Sequence, residues 1–130
     1  MNDIERLINR YIDVWNERAA DRRAAGVSEI WAADGSYVDP LVSAAGRDQI
    51  DAAIDGAQRQ FPDFSFRLAG AVEAHHNLVR FSWELGPDGP GGSDSLSGSE
   101  EAPIAGSDVA VLDADGKLRD VHGFLDRVPG

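Results

Sequence analysis

The apolar residues of this 130-residue chain change period once, near Phe64, and that change limits the folds open to it. Before Phe64 they recur every three to four positions, and after it they alternate. The first spacing builds helices with one apolar stripe; the second builds strands with one apolar face. Ile4, Leu7, Ile8, Tyr11, Ile12 and Trp15 form the first stripe, and Asn2 with Glu5 has the spacing of a capping box. Ala20, Ala24, Val27, Ile30 and Trp31 keep a helical spacing up to a stop at Asp34-Gly35. A short extended piece follows from Ser36 to Asp39, ended by Pro40. A further helix is expected from Arg47 to Gln60, with Ile50, Ala53, Ile54, Ala57 and Phe61 inward and Pro62 as terminator.

Beyond Phe64 the reading is of strands. Phe64, Phe66, Leu68, Val72 and Ala74 alternate with polar residues, His75-His76-Asn77 forms a turn, and Val79, Phe81, Trp83 and Leu85 return. Residues 86–101 are Gly-, Ser-, Pro- and acid-rich and are expected to be a flexible loop. Ile104 to Leu112 and Leu118 to Val128 give two more strands, turned by Asp113-Ala114-Asp115-Gly116. Helices first and antiparallel strands last imply an α+β fold, one domain over residues 1–130 with helices on one face of the sheet. In the last strand Leu118, His122, Phe124 and Val128 are assigned to one face, and Val121, Gly123 and Leu125 to the other. A strand apolar on both faces needs cover on both. The helices suffice for one face, so a second copy is expected on the other, as a homodimer.

Charge narrows the partners. Twelve Lys and Arg against 23 Asp and Glu give a formal charge of −11, which disfavours nucleic acid and anionic membrane surfaces. No cysteine is present, which removes disulfides, thiolate–zinc sites and a cysteine nucleophile. No apolar run approaches the roughly 18 residues of a membrane span, and the N-terminus lacks the pattern of a signal peptide, so a cytoplasmic location is expected. Asp113-Ala114-Asp115-Gly116 fails as a calcium loop, since its frame puts Val111 and His122 at the terminal ligand positions. Gly91-Gly92-Ser93 lacks the Lys of a phosphate loop. No nucleophile elbow and no metal-ligand spacing is found, so neither metal nor cofactor is expected.

Three polar residues occupy positions where the pattern asks for apolar ones. Tyr11 lies on the buried stripe of the first helix, Asp39 ends the short strand before Pro40, and Asp108 is in register with Ile104, Gly106, Ala110 and Leu112. An unpaired buried carboxylate is costly, so such groups are paired or protonated. Two carboxyls and a phenol in an apolar cup would have their proton affinities pushed apart, which supplies an acid and a base at neutral pH. Each also has a structural reading: a core tyrosine with its hydroxyl at the rim, an Asp-Pro turn, and an Asp bonded to backbone or to Arg119 across the hairpin. His122 reads as an interface residue, and His75 and His76 as solvated turn residues.

Order and spacing tie several short pieces together: Arg10-Tyr11, Trp31-Ala32-Ala33-Asp34-Gly35, Tyr37-Val38-Asp39-Pro40, Gly46-Arg47, Ser107-Asp108-Val109 and Asp115-Gly116-Lys117-Leu118. Over nearly its whole length, residues 86–101 apart, the chain resembles the nuclear transport factor 2-like superfamily in its SnoaL-like or ketosteroid isomerase-like branch. The resemblance implies a curved antiparallel sheet wrapped around helices to form a cone-shaped pocket. It also implies roles: Asp39 as the base beside a carbonyl, with Tyr11 and a neutral Asp108 as donors to the enolate oxygen. A carboxylic acid kept protonated by an apolar site is the known device of ketosteroid isomerase. Polyketide cyclases of the superfamily similarly use a late-strand Asp, which Asp108 matches. The long loop and the small Ala105-Gly106-Ser107 depart from the isomerase pattern.

The resulting expectation is cofactor-independent acid–base chemistry, by isomerisation or aldol cyclisation, on a small apolar carbonyl compound. Trp15, Phe81, Trp83, Val121 and Leu125 are expected to contact that ligand. The alternatives are a non-catalytic ligand-binding or dimerisation module, and epoxide hydrolysis or dehydration in the same cup.

Overall fold

A computed structural model describes residues 2–87 and 103–128. Helix α1 spans Asp3–Asn16, α2 Ala20–Ile30 and α3 Arg47–Gln60; the strands are β1 Trp31–Asp39, β2 Val42–Ala45, β3 Phe64–His75, β4 Leu78–Pro87, β5 Ile104–Leu112 and β6 Leu118–Arg127. The capping box forms: Asn2 Oδ1 accepts from the Glu5 N–H, and Glu5 Oε1 accepts from the Asn2 N–H. The strands make one sheet in the order β2-β1-β6-β5-β4-β3. Helix α1 packs on β3 and α3 on β1 and β2, so the helices line the inner face of an α+β cone.

The sheet is mixed rather than wholly antiparallel, because β1 runs parallel to β6. Four strands are expected after Phe64 and a short extended piece over Ser36–Asp39; the pairing shows that piece to be part of a longer β1 that sits between β2 and β6. It begins at Trp31, which the periodicity had placed in a helix ending at Asp34-Gly35. Helix α2 stops at Ile30, and Trp31 pairs with Leu118 while Ser36 pairs with Asp120, so the residues between them bulge. That bulge needs Gly35, where a Cβ would lie 2.7 Å from Cδ1 of the fully buried Trp31 ring. Strand β2 was not foreseen. It is four residues long and returns along β1 after a turn at Pro40 and Leu41.

A second bulge corrects the faces of β6. Val111 pairs with Asp120 but Leu112 with Leu118, so one extra residue falls on β6. Leu118 and Val121 therefore both point into the core, whereas the alternation had put Leu118 with His122 and Phe124. His122 and Phe124 lie on the outer face, where Phe124 is 58% exposed. Val128, assigned to that same face, instead lines the inner cavity. Strand β4 takes in Gly86 and Pro87 from the expected loop. The rest of that loop, including Gly91-Gly92-Ser93 and Leu96, lies outside the described residues.

Behind the helices, Arg23 is buried in contact with Asp51 at 2.9 Å, Asp55 at 3.3 Å and Gln58 at 3.0 Å. The Gln58 amide donates in turn to the carbonyls of Trp15 and Glu17. Those acceptors are left unmade at the end of α1, so one charged cluster joins α2 and α3 to the helix carrying Tyr11 and Trp15.

Candidate functional site

A cavity of about 260 Å³ opens between α1, the C-terminal end of α3 and the inner face of the sheet. Its wall is mainly aromatic: Trp15 meets Tyr37 at 5.1 Å and Phe66 at 5.4 Å, and Phe66 meets Trp83 at 5.3 Å, between ring centroids. Trp15, Trp83 and Leu125 line it, as do Tyr11, Asp39 and Asp108. Phe81 and Val121 do not. Phe81 packs edge-on against Tyr11 at 5.2 Å, and Val121 is buried in register with Tyr37 and Ala110. Tyr37, Gln60, Phe61, Phe66 and Ile104 are lining residues that the sequence reading did not select.

Strand register brings the carboxyls together. Phe81 pairs with Asp108, and Asp108 with Gly123. Val38 pairs with His122, which sets Asp39 level with Gly123. Asp39, Gly123 and Asp108 thus form one row across β1, β6 and β5. Gly123 leaves the middle of that row without a side chain. A Cβ there would lie 3.0 Å from Asp108 Oδ1, 3.3 Å from Asp39 Cβ and 3.3 Å from the Tyr37 hydroxyl.

Each carboxyl has its own donors. The Tyr11 hydroxyl donates to Asp108 Oδ2 at 2.7 Å, and the Trp83 indole N–H donates to Oδ1 at 3.1 Å. Arg119, an alternative partner for Asp108, pairs instead with Asp120. The Tyr37 hydroxyl donates to Asp39 Oδ2 at 2.7 Å, while Asp39 Oδ1 accepts from the Leu41 and Val42 backbone N–H groups at 2.8 and 3.0 Å. Asp39 therefore also closes the β1–β2 turn, as the Asp-Pro reading anticipates. The buried indole N–H of Trp15 makes no well-aligned hydrogen bond among the described residues; the Tyr11 hydroxyl oxygen is its neighbour.

Asp108 is 2% exposed, and burial pushes its carboxyl up from 3.8 to about 6. The Tyr11 and Trp83 hydrogen bonds oppose that rise; the negative charges of Asp39 and Asp126 add to it. Among the described residues no Lys, Arg or His lines the cavity to offset the charge. Burial and the neighbouring Asp108 charge drive the ionisation of Tyr11 and Tyr37 far upward, so both phenols stay protonated donors. His122 faces outward, away from this row, and His75 and His76 are exposed at the β3–β4 turn. Among the described residues no cluster of His, Asp and Glu has the makings of a metal site, and no helix is long and apolar enough to cross a membrane.

Helices packed on a six-stranded mixed sheet, with an aromatic cavity and one deeply buried acid between them, define the architecture. The sequence pattern of the SnoaL-like domain matches residues 8–121, and the chain belongs to that family. A candidate isomerase of the SnoaL-like family from Agrobacterium tumefaciens is 37% identical over 92% of this chain and 94% of its own, with a TM-score of 0.81. A candidate SnoaL-like polyketide cyclase from Jannaschia, 15% identical over 97% of this chain and 90% of its own, superposes with a TM-score of 0.68. An NTF2-like protein of unknown function from Exiguobacterium, 20% identical over 92% of this chain and 98% of its own, gives 0.69. The last two likenesses concern the fold. No curated protein matches the chain.

Proposed function

We propose that the chain is a cofactor-independent acid–base enzyme that moves a proton beside the carbonyl of a small, largely apolar compound. The observation that carries this reading is the Asp108 carboxyl, held in an apolar cavity with its proton affinity raised toward neutrality. In its neutral form Asp108 donates to the developing enolate oxygen, where a donor in a dry site counts most. Tyr11 acts in line behind it, since its hydroxyl rests on Asp108 Oδ2. Asp39, on the other side of Gly123, takes the proton from carbon. The unsatisfied Trp15 N–H favours a ligand carrying an acceptor. Isomerisation and intramolecular aldol cyclisation both use this set, and the Agrobacterium likeness favours the first.

The test is proton exchange in heavy water with a small β,γ-unsaturated cyclic ketone. The wild type is expected to incorporate deuterium and shift the double bond, with Asp39→Asn and Asp108→Asn each slower by about 100-fold. Equal rates for all three proteins would refute the roles.

We also propose that the outer face of the sheet is covered by a second copy. Phe124, Val38 and His122 sit there together, with Phe124 58% and Val38 38% exposed, and an apolar pair on an open sheet face favours cover by a like face. Sedimentation should give a dimer at micromolar concentration that Phe124→Glu dissociates. A monomeric wild type would dispose of the idea.

A further inference from the structure

Tyr37 is a buried phenol to which the chemistry above gives no task. Its hydroxyl donates to Asp39 Oδ2 at 2.7 Å. On its other side lies the notch at Gly123, where the Tyr37 hydroxyl and Asp108 Oδ1 stand 3.3 and 3.0 Å from one point, the place a Cβ would fill. A side chain in that position would press on both oxygens. The Tyr37 hydroxyl is thus bonded at the Asp39 end of the row, while Asp108 at the other end is bonded to Tyr11 and Trp83.

We propose that Tyr37 is a positioning residue that relays a proton between Asp39 and Asp108 across Gly123. The inference rests on the acid–base reading in its aldol form, where Asp39 has taken a proton from carbon and Asp108 has given its own to the new alkoxide, so that Asp39 is neutral and Asp108 ionised. In the relay, the Asp39 carboxyl O–H breaks as its proton passes to the Tyr37 oxygen. The hydroxyl's own proton leaves for Asp108 Oδ1, where a new O–H forms. Tyr37 ends as it began, and the negative charge moves from Asp108 to Asp39. The transfer is concerted, because burial puts a free tyrosinate out of reach. A bound ligand fills the cavity and shuts off water, so an internal route lets both carboxyls reset before product leaves. Besides the two aspartates, the groups facing this path are Tyr11 from α1, Trp83 from β4 and, at a distance, the Asp126 charge from β6; among the described residues no basic side chain lines the cavity.

The test is a titration of protein labelled with carbon-13 at the tyrosine Cζ, from about pH 4 to about pH 8, where the unperturbed phenols do not ionise. The chain has two tyrosines, and Tyr37→Phe assigns them. Tyr11, bonded directly to Asp108, reports the Asp108 ionisation. Tyr37 is expected to shift with the same midpoint and comparable amplitude, as its hydroxyl changes partner when Asp108 ionises. Both shifts should vanish in Asp108→Asn, and the Tyr37 shift alone should vanish in Gly123→Ala. A flat Tyr37 signal beside a moving Tyr11 signal would overturn the relay while leaving the acid–base reading in place. If Tyr11 is flat as well, Asp108 does not titrate there, and both fall.

Discussion

The Tyr11 hydroxyl donates to Asp108 Oδ2 at 2.7 Å, joining positions 97 residues apart in sequence. Both side chains are buried, so this bond ties the first helix to the strand at the bottom of the cavity. A carboxylate in such a place is stabilised by its donors and penalised by burial, and burial prevails. The first two predictions follow from that balance.

Replacing Asp108 by Asn should stabilise the protein above pH 6. The native carboxyl binds its proton more tightly than the unfolded one, so its contribution is complete below about pH 4 and is lost as pH rises through about 6. Moving from 3.8 to about 6 corresponds to roughly 3 kcal/mol once the group is ionised. Urea unfolding at pH 8 should show Asp108→Asn more stable by up to that amount, with the gap closing near pH 4. A variant less stable at pH 8 than at pH 4, relative to wild type, would reverse the sign.

Removing the Tyr11 hydroxyl acts the other way. Tyr11→Phe takes away a donor that favours the ionised carboxyl, so Asp108 should titrate higher than in the wild type. The loss of a hydrogen bond to a charged acceptor should cost about 2 kcal/mol at pH 8 and less at pH 4. Unfolding at the two pH values measures both effects.

Gly106 has no room for a methyl group. A Cβ there would lie 2.2 Å from Trp83 Cζ2 and 2.6 Å from the Phe124 carbonyl oxygen, and the second of these is backbone. Gly106→Ala should cost about 3 kcal/mol. It should also displace the indole that donates to Asp108, with a visible change in tryptophan fluorescence.

Arg23 tests whether the charged cluster behind the helices holds the cavity's wall. Arg23→Met leaves Asp51 and Asp55 without their buried cation and should cost about 3 kcal/mol. The aspartates are partly exposed, which limits the loss. Chemical unfolding at pH 7 decides the point.

Much of this architecture was readable from periodicity. The Asn2 cap, the stripe from Ile4 to Trp15 and the alternation from Val79 to Leu85 are local patterns that survive folding, whereas β3 is broken by an irregularity between Ala69 and Glu73. What escaped was set by pairing between distant segments. Trp31 looked helical because its neighbours upstream are; its strand conformation comes from lying parallel to β6. Leu118 was placed on the wrong face because a bulge at the start of β6 breaks strict alternation. At the site, Tyr11 and Asp108 were visible as polar residues in apolar registers. Tyr37 was not, since a tyrosine two places before an aspartate in a short strand carries no mark of its own. Only the register of β1, β6 and β5 reveals what the missing side chain of Gly123 makes possible. Phe81 and Val121 share the inner face with the lining residues but sit behind the Tyr11 ring and beside Tyr37, a matter of depth that a period of two does not encode.

The most direct measurement is the ionisation of Asp108 in the ligand-free wild type, followed through its own carboxyl carbon-13 signal, with Asp108→Asn for assignment. A buried acid in an apolar hollow should titrate at about pH 6. A midpoint near pH 4, as for a solvated aspartate, would contradict the account.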